Sequence, residues 1–286
     1  MTRRPTAILL VSCPDRRGLV FQIAEFVSRN NGNIVHADHH IDSQSGLFLM
    51  RVEWELDEFR IAPDEIAVHF TPIAEASNMQ WQIRLSQRPQ RIAIMVSKYS
   101  HCLYDLLLRN AAGELPGTIA LVSSNHGDLE AIAQRFGIPF YIFPIGSANK
   151  IEQEQKQLEL LARERIDLLV LARYMQILSP EFTAGYRNRI INIHHSFLPA
   201  FIGSQPYHQA YRRGVKLIGA TSHYVTEQLD DGPIIEQDVI RISHRDSVQD
   251  VIRKGRDLEK IVLARGVRLH LESRVLPYGG KTAVFD

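Results

Sequence analysis

The fold of the larger part of the chain is decided by residues 91–123, which read RIAIMVSKYSHCLYDLLLRNAAGELPGTIALVS. The apolar run at residues 91–96 predicts a buried strand, and the spacing at residues 102–110 predicts a helix that ends at Gly113. Another apolar run, at residues 118–123, predicts the next strand. Strands that alternate with helices in this way are typical of a parallel sheet with right-handed crossovers.

The same alternation continues along the chain, with helices predicted at residues 128–136 and 150–164 and strands at residues 139–143, 167–171 and 189–193. The fold class is therefore α/β, with a doubly wound, mostly parallel sheet. Ligands of such sheets bind beyond the carboxyl ends of the strands, so those loops are where chemistry is expected. The loop after the first strand, residues 97–101, has no glycine that would let the backbone wrap a phosphate, which disfavours the usual nucleotide sites.

The first 85 residues have a different pattern, which predicts a βαββαβ order. Strands are expected at residues 7–11, 33–41, 47–56 and 81–85, and helices after Leu19 and after Pro63. This order is ferredoxin-like, with two helices on one face of a sheet. The polar segment SQRPQ separates the two patterns. We therefore predict a first domain at residues 1–85, a linker at residues 86–90 and a second domain at residues 91–286.

Composition excludes several classes of protein. A length of 286 residues suits two domains, and 33 Lys and Arg against 32 Asp and Glu leave a net charge of +1, which does not favour a nucleic-acid partner. No apolar run reaches the roughly 18 residues that span a bilayer, so no membrane partner is expected. The only cysteines, Cys13 and Cys102, cannot form a disulfide framework and fit a reducing compartment. We expect a cytoplasmic protein.

Three polar residues near the ends of predicted strands suggest acyl chemistry. Asn192 and His194 are two positions apart on a strand, so their side chains point to the same face. An amide and an imidazole there can donate hydrogen bonds to a developing oxyanion. Asp230 lies in an acidic turn after a later strand, and it faces this pair if the two strands are neighbours. Its carboxylate would then serve as a general base.

Three motifs resemble the folate-dependent formyltransferase family over about residues 90–280. They are Asn-x-His-x-Ser-x-Leu-Pro at residues 192–199, His-x-Val-x-x-x-x-Asp-x-Gly at residues 223–232 and LARYMQILS at residues 171–179. The resemblance implies that Asn192, His194 and Asp230 are catalytic and that the substrate is a folate. It implies no metal and no separate cofactor. It also implies that two loops hold the pterin of the substrate, at Met175, Gln176, Ile177, Leu178, Val225, Thr226, Leu229 and Asp231.

The segment DRRGL, residues 15–19, joins the first strand to the first helix and resembles the corresponding loop of an ACT domain, an amino-acid-sensing module. Gly18 at the helix start lets backbone N–H groups approach a ligand carboxylate. Asp15 either pairs with a ligand amine or caps the helix. The resemblance implies an effector site at Asp15, Gly18 and Leu19, with methionine or glycine as first candidates, and homo-oligomers that form through the ACT domains.

The loop at residues 97–101 bears on the acceptor of the formyl group. Lys98, Tyr99 and His101 are bulky where a ribonucleotide-binding relative has a glycine-rich loop, which leaves water as the acceptor. Lys98 can still hold a phosphate as a point charge. The expected reaction is the hydrolysis of 10-formyltetrahydrofolate to tetrahydrofolate and formate, which would supply purine synthesis and balance one-carbon folate pools. The alternatives are a formyltransferase with a ribonucleotide or aminoacyl-tRNA acceptor, and a non-catalytic binding regulator.

Three histidines near predicted strand ends and the basic residues of the last helix have no assigned role in the predicted chemistry. His126, His195 and His223 lie near strand ends, where they either contribute to the site or pack beneath it. The basic residues at positions 253–256 are interpreted as a solvated face of the last helix.

Overall fold

The structure is a computed structural model that describes residues 4–199 and 206–286. Its contacts divide the chain into two compact units. Unit 1 comprises residues 1–89 and 273–286, and unit 2 comprises residues 90–272. Within the described part of the chain, no helix is both long enough and apolar enough to cross a bilayer.

Unit 1 contains a four-stranded antiparallel sheet with the order β2-β3-β1-β4. Its large apolar side chains pack beneath two helices, and the Phe26 and Phe70 rings meet edge to face with centroids 5.3 Å apart. The predicted βαββαβ order is confirmed. The second helix begins at Ile66, later than the predicted start, because residues 63–65 form a turn. The elements are β1 (Thr6–Pro14), α1 (Leu19–Arg29), β2 (Ile34–Asp42), β3 (Leu47–Glu55), α2 (Ile66–Ala76) and β4 (Gln80–Leu85).

Unit 2 contains a seven-stranded sheet with the order β11-β10-β9-β8-β5-β6-β7. Its strands from β5 to β9 pair in parallel, and their apolar runs are buried because helices cover both faces. The elements are β5 (Gln90–Val96), α3 (His101–Ala111), β6 (Gly117–Ser124), α4 (Glu130–Arg135), β7 (Phe140–Ile142), α5 (Lys150–Arg163), β8 (Leu168–Leu171), α6 (Pro180–Gly185), β9 (Ile190–His194), α7 (Pro206–Arg213), β10 (Leu217–Tyr224), β11 (Ile234–Arg241) and α8 (Val248–Leu271).

The last two strands of this sheet are antiparallel, which brings the predicted site residues together. β10 pairs with β9 in the register that sets His223 opposite Asn192, and β11 then pairs with β10. The prediction of a mostly parallel sheet is confirmed, and so is the condition that the two site strands are neighbours. Gln90 already belongs to β5, so the connection between the units is shorter than the predicted linker at residues 86–90.

The predicted end of the second domain at residue 286 is wrong, because residues 273–286 belong to unit 1. They form a hairpin of β12 (Val275–Tyr278) and β13 (Lys281–Val284). Phe285, which is 2% exposed, packs with Leu10 and Leu49. Alternation along β1 and β3 points these two leucines away from the face that α1 and α2 cover. The hairpin therefore buries apolar side chains on the second face of the sheet.

Candidate active site

A cavity of about 570 Å³ opens beyond the carboxyl ends of β8 and β9 in unit 2. Asn192 and His194 both line it, since the alternation along β9 points their side chains to the same face. His194 is almost fully buried, with 5% of its surface exposed. The strand itself is anchored by Ile190 and Ile191, which are buried in the sheet. A rigid strand end thus holds an amide and an imidazole at the wall of the cavity.

Asp230 reaches this wall from the turn between β10 and β11. Its backbone is left-handed, with φ of 56°, a conformation that Asp tolerates better than most residues. The turn closes tightly at Gly232, where an added Cβ would lie 1.7 Å from the carbonyl oxygen of Tyr224. Asp230 Oδ2 lies 3.2 Å from His194 Nδ1. The fold therefore pairs a carboxylate with the imidazole of the neighbouring strand.

The surroundings of Asp230 keep its carboxylate charged. Burial alone would raise its pKa, but the hydrogen bond from His194 and the proximity of that ring outweigh burial, so the pKa lies below its ordinary value. The ionised carboxylate can only accept hydrogen bonds, so the proton of the contact with His194 is on Nδ1. Asp230 is therefore an anion at neutral pH with one oxygen held by His194, and it can take a proton from a water molecule.

His223 on β10 fixes the orientation of the Asn192 amide. Its Nδ1 lies 2.9 Å from the carbonyl oxygen of Tyr224, which can only accept, so Nδ1 carries a proton. Burial lowers the pKa of His223, so the ring is neutral and Nε2 is an acceptor. Nε2 lies 3.2 Å from Asn192 Nδ2, which therefore donates to it. One N–H of the amide is held in place, and its other N–H and its oxygen remain for a ligand.

The second nitrogen of His194 has no partner. Nε2 is buried and makes no hydrogen bond with any residue that the structure describes. A buried polar atom without a partner costs free energy, and such atoms in native structures call for an explanation. Because Nδ1 is held by Asp230 and the ring lines the cavity, Nε2 is available for a bound ligand.

A second cluster of polar side chains surrounds Glu259 of α8, which is fully buried and also lines the cavity. Its Oε2 accepts a hydrogen bond of 2.7 Å from His101 Nε2, and its Oε1 accepts one from the Tyr207 hydroxyl. Burial would raise the pKa of Glu259, but these bonds and the charge of Arg173 outweigh burial and hold it below its ordinary value. Arg173 Nε lies 3.6 Å from Oε2, so its contact is electrostatic.

One group of residues has the spacing of a metal site. His101, Cys102 and Glu259 place one ligand atom each within 4.8 Å of one another. Burial and the charge of Glu259 raise the pKa of the Cys102 thiol well above its ordinary value, whereas a metal takes the thiolate. His101 already donates its Nε2 proton to Glu259. The donor set thus suits a hydrogen-bonded network better than a metal, and the absence of a metal stays a prediction.

Comparison with known proteins assigns the family. Residues 90–267 match the formyl transferase family and residues 7–66 match the ACT domain. A formyltetrahydrofolate deformylase of Synechocystis is 58% identical over 280 residues, which is 98% of either chain. The crystal structure of a formyltetrahydrofolate deformylase from Pseudomonas syringae superposes with a TM-score of 0.98 at 50% identity, covering 100% of this chain and 96% of that one. The chain belongs to the formyltetrahydrofolate deformylase family.

The match to an enzyme named as a transformylase covers less of the chain. Glycinamide ribonucleotide transformylase 1 from Symbiobacterium toebii is 32% identical, covers 69% of this chain and 95% of its own, and gives a TM-score of 0.65. The formyltetrahydrofolate deformylase family thus accounts for both units, and this transformylase accounts for about two thirds of the chain.

The structure gathers most of the predicted folate-binding residues at the same cavity. More than half of the surface of Met175, Ile177 and Leu229 is exposed there, at 54%, 60% and 62%, and exposed apolar groups around a cavity mark a ligand surface. Asp231 is exposed and does not line the cavity. Its predicted contact is not supported by the geometry, because the turn that directs Asp230 inward directs its neighbour outward. The lining includes Met175, Gln176, Ile177, Leu178, Val225, Thr226 and Leu229.

The predicted effector residues lie at the start of α1 in unit 1. Gly18 is left-handed with φ of 90°, and an added Cβ would meet nothing within 4 Å, so the space beside it is open. Asp15 is exposed, and among the described residues its side chain makes no hydrogen bond to cap α1. The Leu19 side chain is buried in the core, which leaves its backbone amide for a ligand. The effector site stays a prediction.

Several residues of the cavity wall were missed by sequence reasoning. Arg256 is one of them, because it was interpreted as part of a solvated face of the last helix. The i, i+4, i+7 spacing of Ile252, Arg256 and Glu259 along α8 is the signal that would have found them. Of the histidines without a role, His195 and His223 line the cavity and His126 does not. The other lining residues that were missed are Leu171, Arg173, Tyr174, Ile193, Pro206, Tyr207 and His208.

Proposed function

We propose that this protein hydrolyses the formyl C–N bond of 10-formyltetrahydrofolate and releases tetrahydrofolate and formate. The observation that carries the proposal is the buried, unpartnered Nε2 of His194 beside an ionised Asp230. A formyl oxygen in the cavity gives Nε2 its missing partner when the ring carries both protons, because the oxygen can only accept a hydrogen bond. The substrate's pterin contacts the exposed apolar residues and the loop backbones of the same cavity. The folate is consumed as substrate, and no separate cofactor takes part.

The first step forms the tetrahedral intermediate. Asp230 accepts a proton from a water molecule while the water oxygen attacks the formyl carbon. The electron pair of the C=O bond moves to the oxygen, and the charge that develops there is stabilised by hydrogen bonds. His194 donates from Nε2 when that nitrogen is protonated, and Asn192 donates its free N–H. The bond between Asn192 and His223 holds that N–H in position before the substrate arrives.

The second step breaks the C–N bond. The electron pair of the oxyanion re-forms the C=O bond while the electron pair of the C–N bond moves to the nitrogen, which is a poor leaving group without a proton. Asp230 returns the proton it took from water to this nitrogen, so the carboxylate is regenerated and tetrahydrofolate leaves. The formic acid that remains ionises to formate at neutral pH. Asp230 is therefore base and then acid, and no proton from another residue is consumed.

Water is favoured as acceptor by the loop after β5. Tyr99 lines the cavity at the position where a glycine-rich loop would hold a phosphate, and His101 is bonded to Glu259. The alternative is transfer to an amine, which the likeness to a ribonucleotide transformylase favours. The experiment measures formate release from 10-formyltetrahydrofolate without any added amine. Release that depends on Asp230 supports hydrolysis, whereas turnover that starts only after an amine is added supports transfer.

Unit 1 has a regulatory role in this proposal. The match to the ACT domain and the open space beside Gly18 support the binding of a small amino acid, methionine or glycine, to the amides at the start of α1. The unit also pairs copies of the chain into a homo-oligomer. We place the enzyme in the cytoplasm, where the buried thiols of Cys13 and Cys102 stay reduced and the formate can enter one-carbon reactions, including purine synthesis.

A further inference from the structure

We propose that Arg173 and Arg256 form a second subsite in the cavity and that this subsite binds formate, the anionic product. The inference rests on the proposed hydrolysis, because that reaction places a carboxylate anion in the cavity. It assigns a ligand to two cations that the hydrolytic mechanism itself does not use.

Arg173 is a largely buried cation with an unpartnered donor. It follows β8, lines the cavity, and its side chain is only 10% exposed. Its Nε is buried and makes no hydrogen bond in the part of the chain that the structure describes. A buried donor without a partner costs free energy. The backbone of Arg173 is also left-handed, with φ of 64°.

Glu259 forms an ion pair with this cation but no hydrogen bond. Its carboxylate oxygens accept hydrogen bonds from the Tyr207 hydroxyl and from His101 Nε2, the latter at 2.7 Å. The closest approach of Arg173 is the 3.6 Å between its Nε and Oε2. The carboxylate therefore keeps the guanidinium in place by charge, and the donors of the guanidinium remain for another acceptor.

Arg256 adds a second positive charge at the same place. Its guanidinium carbon lies 5.2 Å from the centroid of the Tyr99 ring, and that of Arg173 lies 5.1 Å from the same centroid. Cations at this distance from a tyrosine ring are attracted to its face. All three side chains line the cavity. Two guanidinium groups therefore lie close to the Tyr99 ring. The carboxylate of Glu259 provides the opposing negative charge.

The charges that line the cavity favour formate beside the two arginines over formate beside Asp230. At its catalytic end, the product forms beside the carboxylate of Asp230, and two anions in a buried space repel each other. His195, between that end and Tyr207, has a pKa lowered to about 3 by burial and by Arg173, so it is neutral and adds no competing charge. A guanidinium binds a carboxylate through two parallel hydrogen bonds.

The test measures binding of 13C-labelled formate to the full-length protein without folate, by NMR titration. We expect the Arg173→Gln variant to bind formate at least about tenfold more weakly, since it loses a charge-assisted contact. The exposed Arg256→Gln variant should bind about threefold more weakly, because its charge is better solvated. Arg189→Gln is the matched control: Arg189 also stacks on a tyrosine, at 4.7 Å from the Tyr186 centroid, but it does not line the cavity.

The outcomes separate this subsite from the proposed function. Hydrolysis by the wild-type protein, together with formate binding that Arg173→Gln leaves unchanged, overturns the subsite and leaves the function standing. Arg173-dependent formate binding without hydrolysis supports the subsite and overturns the function. If Arg173→Gln fails to fold, Arg256→Gln and Arg173→Lys decide the question, because neither removes the buried charge. Inorganic phosphate that displaces formate and binds more tightly through Arg173 overturns the assignment in favour of a phosphorylated ligand.

Discussion

Replacing Asp230 with asparagine tests the centre of the proposed mechanism. The amide has the same shape as the carboxylate, so the turn and the contact of 3.2 Å with His194 Nδ1 can persist. What the substitution removes is the negative charge and the ability to accept a proton from water. The fold and the cavity should therefore remain, and the chemical step should be lost.

The size of the effect follows from the geometry. A positioned general base contributes about 10²- to 10⁴-fold to a rate, which corresponds to about 3 to 5 kcal/mol of barrier. Asp230 is proposed to act twice, on the water and on the leaving nitrogen, so the upper end of this range is expected. The KM for the folate should change by less than about threefold, because the contacts that bind the pterin are made by other residues.

The assay is formate release at saturating 10-formyltetrahydrofolate, with circular dichroism to verify the fold. Asp231→Asn is the matched control, because it removes the same charge from the adjacent residue, which is exposed and outside the cavity. It should keep at least about half of the wild-type rate, as surface substitutions usually do. An Asp230→Asn variant that retains the wild-type kcat would refute the assignment of the base.

Three further predictions test other parts of the structure. The folded pKa of His195 is about 3, below its ordinary 6.5, so its contribution to stability is complete above pH 6.5 and declines as the pH falls toward 3. Between pH 7 and pH 5, the His195→Gln variant should therefore lose about 2 kcal/mol less stability than the wild-type protein, as measured by urea unfolding. Gly232→Ala places a Cβ 1.7 Å from the Tyr224 carbonyl oxygen, so the turn must move, and kcat should fall about tenfold or more. Gly18→Asp should change the response to an added amino acid while the basal KM for folate is unchanged.

Each of these predictions has a control in the chain. His244→Gln is the same substitution at an exposed histidine outside the cavity, and it serves as the matched variant for His195→Gln. Gly185→Ala adds a Cβ in open space on α6 and should keep the wild-type kcat. Gly113→Asp strains a left-handed glycine of unit 2, with φ of 76°, and should leave the amino-acid response intact. If a control behaves like its partner variant, the effect is general destabilisation and the specific prediction fails.

The order of strands and helices could be predicted because each element carries its own pattern. The alternation along β3 and the apolar runs of β5 and β8 lie within single elements, so each pattern indicates its own strand without reference to the rest of the chain. Local patterns could not predict that the last hairpin, β12 and β13, belongs to unit 1. Its apolar residues are attracted to whichever sheet face is left uncovered, and Leu10 and Leu49 lie more than two hundred positions earlier in the chain. Only the three-dimensional arrangement shows that this face needs covering.

The candidate site, too, could be predicted from local patterns only in part. Asn192 and His194 share one strand, so a period of two was enough to place them together. The hydrogen bond that orients Asn192 depends instead on His223, which β10 sets opposite it. That contact requires the register of two antiparallel strands and a neutral ring with its proton on Nδ1. Neither the register nor the position of a proton can be deduced from the spacing of residues along one strand.

The charges of the cavity extend this reasoning to electrostatics. A net charge of +1 over the whole chain describes solubility and excludes a strongly basic surface, but it contains no information about which charges are removed from water. The fold brings Asp230, Arg173 and Arg256 into the lining of one cavity. Interactions between charges strengthen where water is excluded, so these few groups outweigh the many that are screened at the surface. The release of an anionic product therefore depends on a separation of charge that only the folded chain creates.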